Sequence, residues 1–499
     1  MLGHIIRKEI LSNLSSPTFL GTFVFCFILI LLSLYTGLRS YSDQVVEHGL
    51  TQSLNRENLA QQTNYNAVAG MGVQLSKPPE ALGVIVSGLE NSMGRHTAVN
   101  KYSNPTLMGS KIEGNPIFAV FGDLDLMFIV KTVLSLLAIL FTYNALSGEK
   151  EDGTLRLTLS HPVPRDSLIL GKMIGGFLCL AIPLSIPLLL GIALLTLFPN
   201  IHLTGGDWVR LGFILGVFLL YLALFFTLGM FVSARTSRSA VSFLALLFVW
   251  VVCVLVIPKG SVILAGQFVQ VPSLQEHRMR VMQVSQDIWR KAQPEQRKFY
   301  SDAPRPPQID PGTPKEKRDA LMAEFNQARA EWQKKNNERM RAFFDGIQAK
   351  REAEQAKLDR AYQNRQERLA DLAIGLSRIS PASALTYASM NLAGTGIEGH
   401  DHFLASARAY KEKFVEYVDQ KLKEAGMTTA GGGMVVMTSS SQRPPEKPVD
   451  IGDLPVFRFQ REPLSDTLGR IAVDLVLMGL LTVVFFAGAY VSFLKYDVR

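Results

Sequence analysis

The sequence predicts an all-α integral membrane protein: six transmembrane helices, a large and mainly helical extracytoplasmic domain, and a smaller extracytoplasmic region after the first span. Three observations lead there. Of the 499 residues 48% are hydrophobic, and they gather into six blocks, each near the roughly 20 residues that a helix needs to cross the hydrocarbon core. Charge is concentrated between the blocks. Lys and Arg are unevenly shared among the short connections, in the manner that sets orientation.

The same totals exclude other classes. The three cysteines, Cys26, Cys179 and Cys253, all fall inside apolar blocks, where they act as small buried hydrophobes instead of a disulfide or zinc framework. The net charge of +8 is spread along polar loops, and no basic run interleaves with aromatics as a nucleic-acid groove requires. No nucleic-acid partner is expected.

Residues 1–16 carry Arg7, Lys8 and Glu9 among Leu2, Ile5, Ile6, Ile10 and Leu11, the pattern of an amphipathic helix in the cytoplasmic interface. The first span, 17–38, is too long for a signal-peptide core and no A-x-A site follows it. Residues 39–123 form the first extracytoplasmic region, with a helix near 43–67 and then Gly- and Pro-punctuated sequence. The second span, 124–146, starts beside Asp123 and Asp125 and holds Lys131. A lysine so near a boundary usually snorkels; substrate binding or ion pairing is the alternative, since an intramembrane charge is a functional candidate.

A polar loop, 147–167, separates this span from the third, 168–198, which holds Pro183 and Pro187. Prolines four apart share a face and remove two backbone bonds, so a tilt or kink is expected there, static or as a hinge. The fourth and fifth spans occupy 208–232 and 240–257. The 201–209 connection has no Lys or Arg, whereas 233–239 carries Arg235 and Arg238 and belongs in the cytoplasm. Counting crossings puts the loop with Lys150, Arg156, Arg165 and Lys172 inside as well, with both termini. That is the multi-pass topology of a bacterial cytoplasmic (inner) membrane protein.

Residues 258–466 are the large extracytoplasmic domain. Capping boxes at Ser273-Leu274-Gln275-Glu276 and Thr313-Pro314-Lys315-Glu316 open two helices. The second repeats Leu321, Phe325, Trp332, Phe343, Ile347, Leu358, Tyr362 and Leu369 at helical spacing. Helical throughout 314–375 it would reach roughly 90 Å, so a break and fold-back is expected instead of a single rod, with the weakest point at Asp345-Gly346 or the Ala-rich stretch after it. Trp289, Trp332, Phe343 and Phe344 would anchor a partner or form the core of this coiled-coil arm. A third helix is expected at 402–425, a flexible linker at 430–449, and the sixth span at 471–494, ending inside at Lys495 and Arg499.

Motifs for chemistry fail on inspection. Gly148 and Gly153-Thr154 have P-loop spacing, but the lysine is missing and Glu149, Glu151 and Asp152 would repel a phosphate. His400-Asp401-His402 lacks a third or fourth partner at zinc-like spacing, so no metal site is expected. No catalytic motif is present, and neither enzyme activity nor a cofactor is expected on this chain.

One stretch carries a resemblance. Glu149, Glu151, Gly153, Thr154 and Leu155, then Pro162, Val163, Pro164 and Arg165, then Gly171 and Lys172, are similar to the permease subunits of ABC-2 type transporters. There the second span ends in an E-x-E-x-G-T-L-like run, followed by a P-V-x-R-like turn and G-K. The branch resembled contains permeases associated with nitrous-oxide-reductase maturation and gliding motility. The resemblance covers the spans and short loops and not 258–466.

It implies a dimer of like or related permeases in membrane lipid. Two separate cytoplasmic ATPase subunits would carry ATP and magnesium. They would dock on the amino-terminal helix and on Glu149, Lys150, Glu151, Asp152, Gly153, Thr154, Leu155, Arg156 and Arg165. The apolar faces of the spans and the scarcity of intramembrane charge favour export of an amphiphilic cargo. Two alternatives stand beside it: mechanical action of the outer arm on an extracytoplasmic partner protein, and a receptor or scaffold without an ATPase.

Overall fold

Among the described residues, six helices are long and apolar enough to cross a membrane. The structure, a computed structural model, describes residues 2–110, 124–160, 164–196, 198, 201, 203–301, 303–308, 314–424, 428–430, 434–436 and 449–496. Asp123, Pro162, Val163, Thr313, Arg499 and most of the 430–449 linker lie outside the described residues.

The chain begins with α1 (Leu2–Leu14) and α2 (Pro17–Ala60), whose start is set by Pro17 at its first position and by Ser16, which accepts the Phe19 N–H at 3.1 Å. After α3 (Tyr65–Met71), strands β1 (Val73–Ser76) and β2 (His96–Val99) pair antiparallel, Val73 opposite Val99. Then come α4 (Leu126–Glu151), α5 (Thr154–Leu159), α6 (Arg165–Thr196), α7 (Gly205–Arg235) and α8 (Ser239–Phe268). The long polar region holds α9 (Leu274–Ser301), α10 (Lys315–Ser377), α11 (Pro381–Ala393) and α12 (Ile397–Glu424), and α13 (Leu464–Leu494) closes the chain.

Two compact units result. The larger gathers Met1–Ile263, Ile374–Tyr417 and Pro448–Arg499. Its centre is α7, which starts in a reciprocal Thr204–Asp207 capping box and buries Phe218, Tyr221, Leu222 and Phe225 against α4, α6, α11 and α13. Small residues let these helices close on one another. A Cβ at Gly229 of α7 would collide with Thr142 Oγ1 of α4, and one at Gly488 of α13 would lie 2.8 Å from the Phe231 ring.

Several expectations are corrected here. The first apolar helix does not stop near residue 38 to leave a separate helix at 43–67: α2 continues unbroken to Ala60, because no proline interrupts its polar half. The fifth helix likewise runs on past Pro258 to Phe268, with a π-helical turn at Val252–Val256. Residues 258–466 do not form one compact unit either. The segment Ile374–Tyr417 packs with the spans, and α11 is buried along nearly its whole length. Its Pro-Ala-Ser-Ala run presents small side chains that fit between α7 and α13.

The smaller unit, Leu264–Ala373 with Val418–Lys447, contains an antiparallel pair of helices. His277 stacks on Tyr362 at 4.4 Å and its Nε2 lies 2.9 Å from Asp359 Oδ1. Further along, Arg351 Nε donates to Ser285 Oγ at 2.9 Å, Trp289 meets Phe344 at 6.0 Å, and Phe299 meets Phe343 at 5.1 Å. Trp289, Phe343 and Phe344 are thus part of the arm's own core. The expected break at Asp345-Gly346 is absent: α10 is a single 63-residue helix, about 95 Å at 1.5 Å per residue, and the reversal falls between α9 and α10. One interior glycine costs only about 1 kcal/mol relative to alanine, which the aromatic packing on either side offsets.

Gly346 is exposed with nothing near its Cα. Gly346→Ala is therefore expected to stabilise the arm by about 1 kcal/mol, and Gly346→Pro to destabilise it by about 3 kcal/mol or more. Amide hydrogen exchange across 315–373 should slow in the first variant and quicken in the second.

Candidate coupling site

The segment between the second and third spans is held by helix ends. Gly153, at φ +74°, makes the left-handed turn that separates the last turn of α4 from α5. Leu155 is buried and anchors α5, while Asp152, Thr154, Arg156 and Leu157 are exposed, Leu157 by 66%.

The remaining charged residues engage neighbouring helices. Lys150 Nζ donates to the carbonyls of Ser233, Ala234 and Thr236, at the carboxyl end of α7, and lies 5.2 Å from the Tyr496 ring centroid. Glu151 Oε2 accepts the Ser239 N–H at 2.9 Å, at the amino end of α8. Arg165 Nη1 donates to the carbonyls of Leu494 and Tyr496, each at 3.0 Å, at the carboxyl end of α13. Each charge has the sign that the helix end requires. Ser233 Oγ accepts from the backbone N–H of Leu146 and Ser147, both at 3.0 Å, and joins α4 to α7.

Glu149 completes the set through Lys172 and, beyond it, Glu9. Lys172 Nζ of α6 lies 2.7 Å from Glu149 Oε1 and 3.3 Å from Glu9 Oε1 of α1. This bridge exists because α1 lies directly on α6: a Cβ at Gly171 would come within 2.5 Å of Ile5, and one at Gly175 within 2.9 Å of Glu9. Lys172 was visible in the Gly-Lys pair and Glu9 in the amphipathic pattern. Their partnership was not, since it joins positions far apart in the chain.

A family model described as ABC-2 family transporter protein matches residues 4–498. The chain belongs to the ABC-2 transporter family. The match runs through 258–466 as well as the spans. The chain is also 35% identical over 112 residues to the probable ABC transporter permease protein NosY of Pseudomonas aeruginosa, covering 22% of this chain and 39% of that protein. It is 43% identical over 54 residues to the probable ABC transporter permease protein NosY of Stutzerimonas stutzeri, covering 11% and 20%. The chain thus aligns with less than half the length of either relative. With its six apolar helices, it is a multi-pass membrane subunit of the ABC transporter class.

The other residues singled out in this ABC-2 permease lie away from the loop. Lys131 sits in a π-helical turn, Ile129–Leu134, and its carbonyl accepts from the Tyr221 hydroxyl at 2.8 Å and from the Ser135 hydroxyl, which in turn accepts from Trp250 Nε1 at 2.9 Å. Pro183 and Pro187 lie inside α6 without ending it. His400 Nδ1 and His402 Nε2 each lie 2.9 Å from a backbone carbonyl, of Gly396 and Gln460.

Charged side chains are also buried in two of the apolar helices. Asp474 is buried within α13, 3.0 Å from Arg378 Nε, and Arg210 is buried in α7. Asp474 stood in the sixth apolar block as plainly as Lys131 stood in the second.

Away from the 147–165 segment lies a buried ionic network. Lys77 pairs with Glu90 and donates to the Gly394 carbonyl at 3.0 Å, and Arg95 Nε lies 3.3 Å from Glu90 Oε2. Arg461 Nη1 lies 2.7 Å from Asp207 and 3.3 Å from Glu80. Burial pushes the Glu80 carboxyl up and the His400 imidazole down. Burial would raise Glu90 too, but Lys77 and Arg95 outweigh it and hold its carboxyl below the ordinary 4.5.

A carboxylate depressed in the folded state contributes stability above its ordinary pKa and loses it as pH falls through the folded value. Glu90→Gln leaves Lys77 buried without its counter-charge and is expected to cost about 3–5 kcal/mol at neutral pH. The gap between wild type and variant should close as pH falls below the carboxylate range, as thermal melts in detergent would measure.

Proposed function

We propose that this permease couples ATP hydrolysis on separate cytoplasmic ATPase subunits to the export of an amphiphilic cargo, working as a dimer with a like or related permease. Nucleotide and magnesium are carried by the ATPases. The observation that supports this reading is the division of roles within 147–165. Asp152, Thr154, Arg156 and Leu157 face outward, while Glu149, Lys150, Glu151 and Arg165 engage Lys172 or the ends of α7, α8 and α13. A partner seated on the outward ridge would push on those helix ends with few intervening groups. Lys172 would make the amino-terminal helix move with the loop.

A second reading is favoured by chain continuity. The fifth span continues without a break to Phe268, α9 begins at Leu274, and α10 leads through 378–380 into the buried α11. Rearrangement of the spans would then be carried along the helical arm to an extracytoplasmic partner protein, with no cargo crossing.

Combining Asp152→Lys with Leu157→Asp is expected to reduce co-purification of the ATPase at least tenfold while the melting temperature stays put; unchanged co-purification would reject the docking ridge. Lys172→Met should keep the ATPase bound and lower cargo-stimulated turnover. Replacing 314–375 with a short linker separates the two readings in reconstituted vesicles. Cargo movement that survives the replacement supports export, and ATP turnover with no cargo movement even by the intact chain supports the mechanical arm.

A further inference from the structure

At the end of the first two spans remote from the 147–165 loop lies a cavity of about 270 Å³. One wall is the 33–44 stretch of α2, a second is the 80–91 turn, and the third is Leu124 with Asp125 at the start of α4. The first two walls are fixed backbone to backbone, since a Cβ at Gly37 would collide with the Val84 carbonyl.

The cavity's chemistry is one-sided. Glu80, Glu90 and Asp125 contribute carboxylates, Ser33, Ser40 and other residues contribute hydroxyls, and Gln44 and Asn91 contribute amides, whereas no Lys, Arg or His is among the described residues that line it. The cations that pair with Glu80 and Glu90 are Arg461, Lys77 and Arg95, none of them in the lining. Asp125 accepts the Phe128 N–H at 2.8 Å and the Ser87 hydroxyl at 3.0 Å.

A second observation asks for a ligand. Ser33 is 1% exposed, lines the cavity, and its Oγ has no hydrogen-bond partner. A buried hydroxyl left unmatched costs about 1–3 kcal/mol, a cost that an incoming polar group removes.

We propose that this cavity binds a primary ammonium group, borne by an amphiphile or by a soluble amine. An ammonium has three donors and no acceptor, which suits a lining of carboxylate and hydroxyl oxygens. A phosphate or sulfate head group would meet carboxylates and no cation. The volume falls just below the roughly 300–1,000 Å³ of sites that enclose a whole drug-sized ligand, so it suits a head group. Leu32 and Tyr35, exposed on the same helix beside Ser33, offer an apolar track for an attached chain. The inference stands apart from the export reading, because binding needs neither ATPase nor transport.

The test is calorimetric titration of the full chain in nanodiscs, without ATPase, against empty nanodiscs. Dodecylammonium and 1,4-diaminobutane are the amine probes, and dodecanol and dodecyl phosphate are the controls. Saturable binding of dodecylammonium is expected, with neither control binding. Equal or tighter binding of diaminobutane supports the site and assigns it to soluble amines; weaker binding assigns it to amphiphiles. Asp125→Asn, which keeps the helix cap, should weaken binding at least tenfold. Ser40→Leu, at a half-buried wall position, should abolish it by filling the space. Should Asp125→Asn fail to fold, Ser40→Leu decides alone. Binding unchanged in the folded variants, dodecanol binding as tightly as the amine, or no saturable binding of either amine would each overturn the proposal.

Discussion

A helix that stops at the edge of a bilayer leaves up to four carbonyls or four amides without partners, and apolar surroundings make each of them costly. In this ABC-2 permease one short segment answers that constraint for three helices at once. Lys150 takes the carbonyls of α7, Glu151 the amino end of α8, and Arg165 the carbonyls of α13. The density of charge in 147–165 follows from the ends it must match. Because the same side chains fix the loop and the helices, neither can shift without the other.

Close packing then sets which helices share that loop. Glycines at 171 and 175 bring α1 onto α6 until Glu9 reaches Lys172, and Gly229 lets α7 approach α4 near Thr142. The contribution of each glycine is the absence of a side chain where a neighbouring atom already stands. Within the 147–165 segment, backbone freedom is what Gly153 contributes, where φ is +74°.

The opposite end of the bundle uses a different device. Lys77, Glu90, Arg95, Arg461 and Asp207 are paired in the protein interior, and Arg461 also donates to the carbonyls of Leu392 and Ala393 at the end of α11. Pairs of this kind are weak sources of net stability, since desolvation cancels most of the attraction. What they impose is register: α11, the 73–99 strands and α7 fit together in the one arrangement that leaves no charge alone.

The six apolar helices, the amphipathic helix at the amino terminus and the helix opening at Ser273 were legible in the residues, because length, periodicity and capping are local properties. The Glu, Lys, Gly and Arg of 147–165 stood out as well. Which of those residues face outward was not. Lys150 meets α7 more than eighty positions away, and Arg165 meets α13 more than three hundred away. Continuity was also decided by packing: Gly346 reads as a break, but Phe343, Phe344 and Ile347 are held against α9 and the helix runs through it. The Ala- and Ser-rich α11 has little hydrophobic signal of its own, and its burial depends on the gap between α7 and α13. Local sequence thus determined where helices form and which segments are apolar enough to cross. The tertiary structure alone decided which charges meet, because a partner's identity is a property of the space around a side chain and not of its neighbours in the chain.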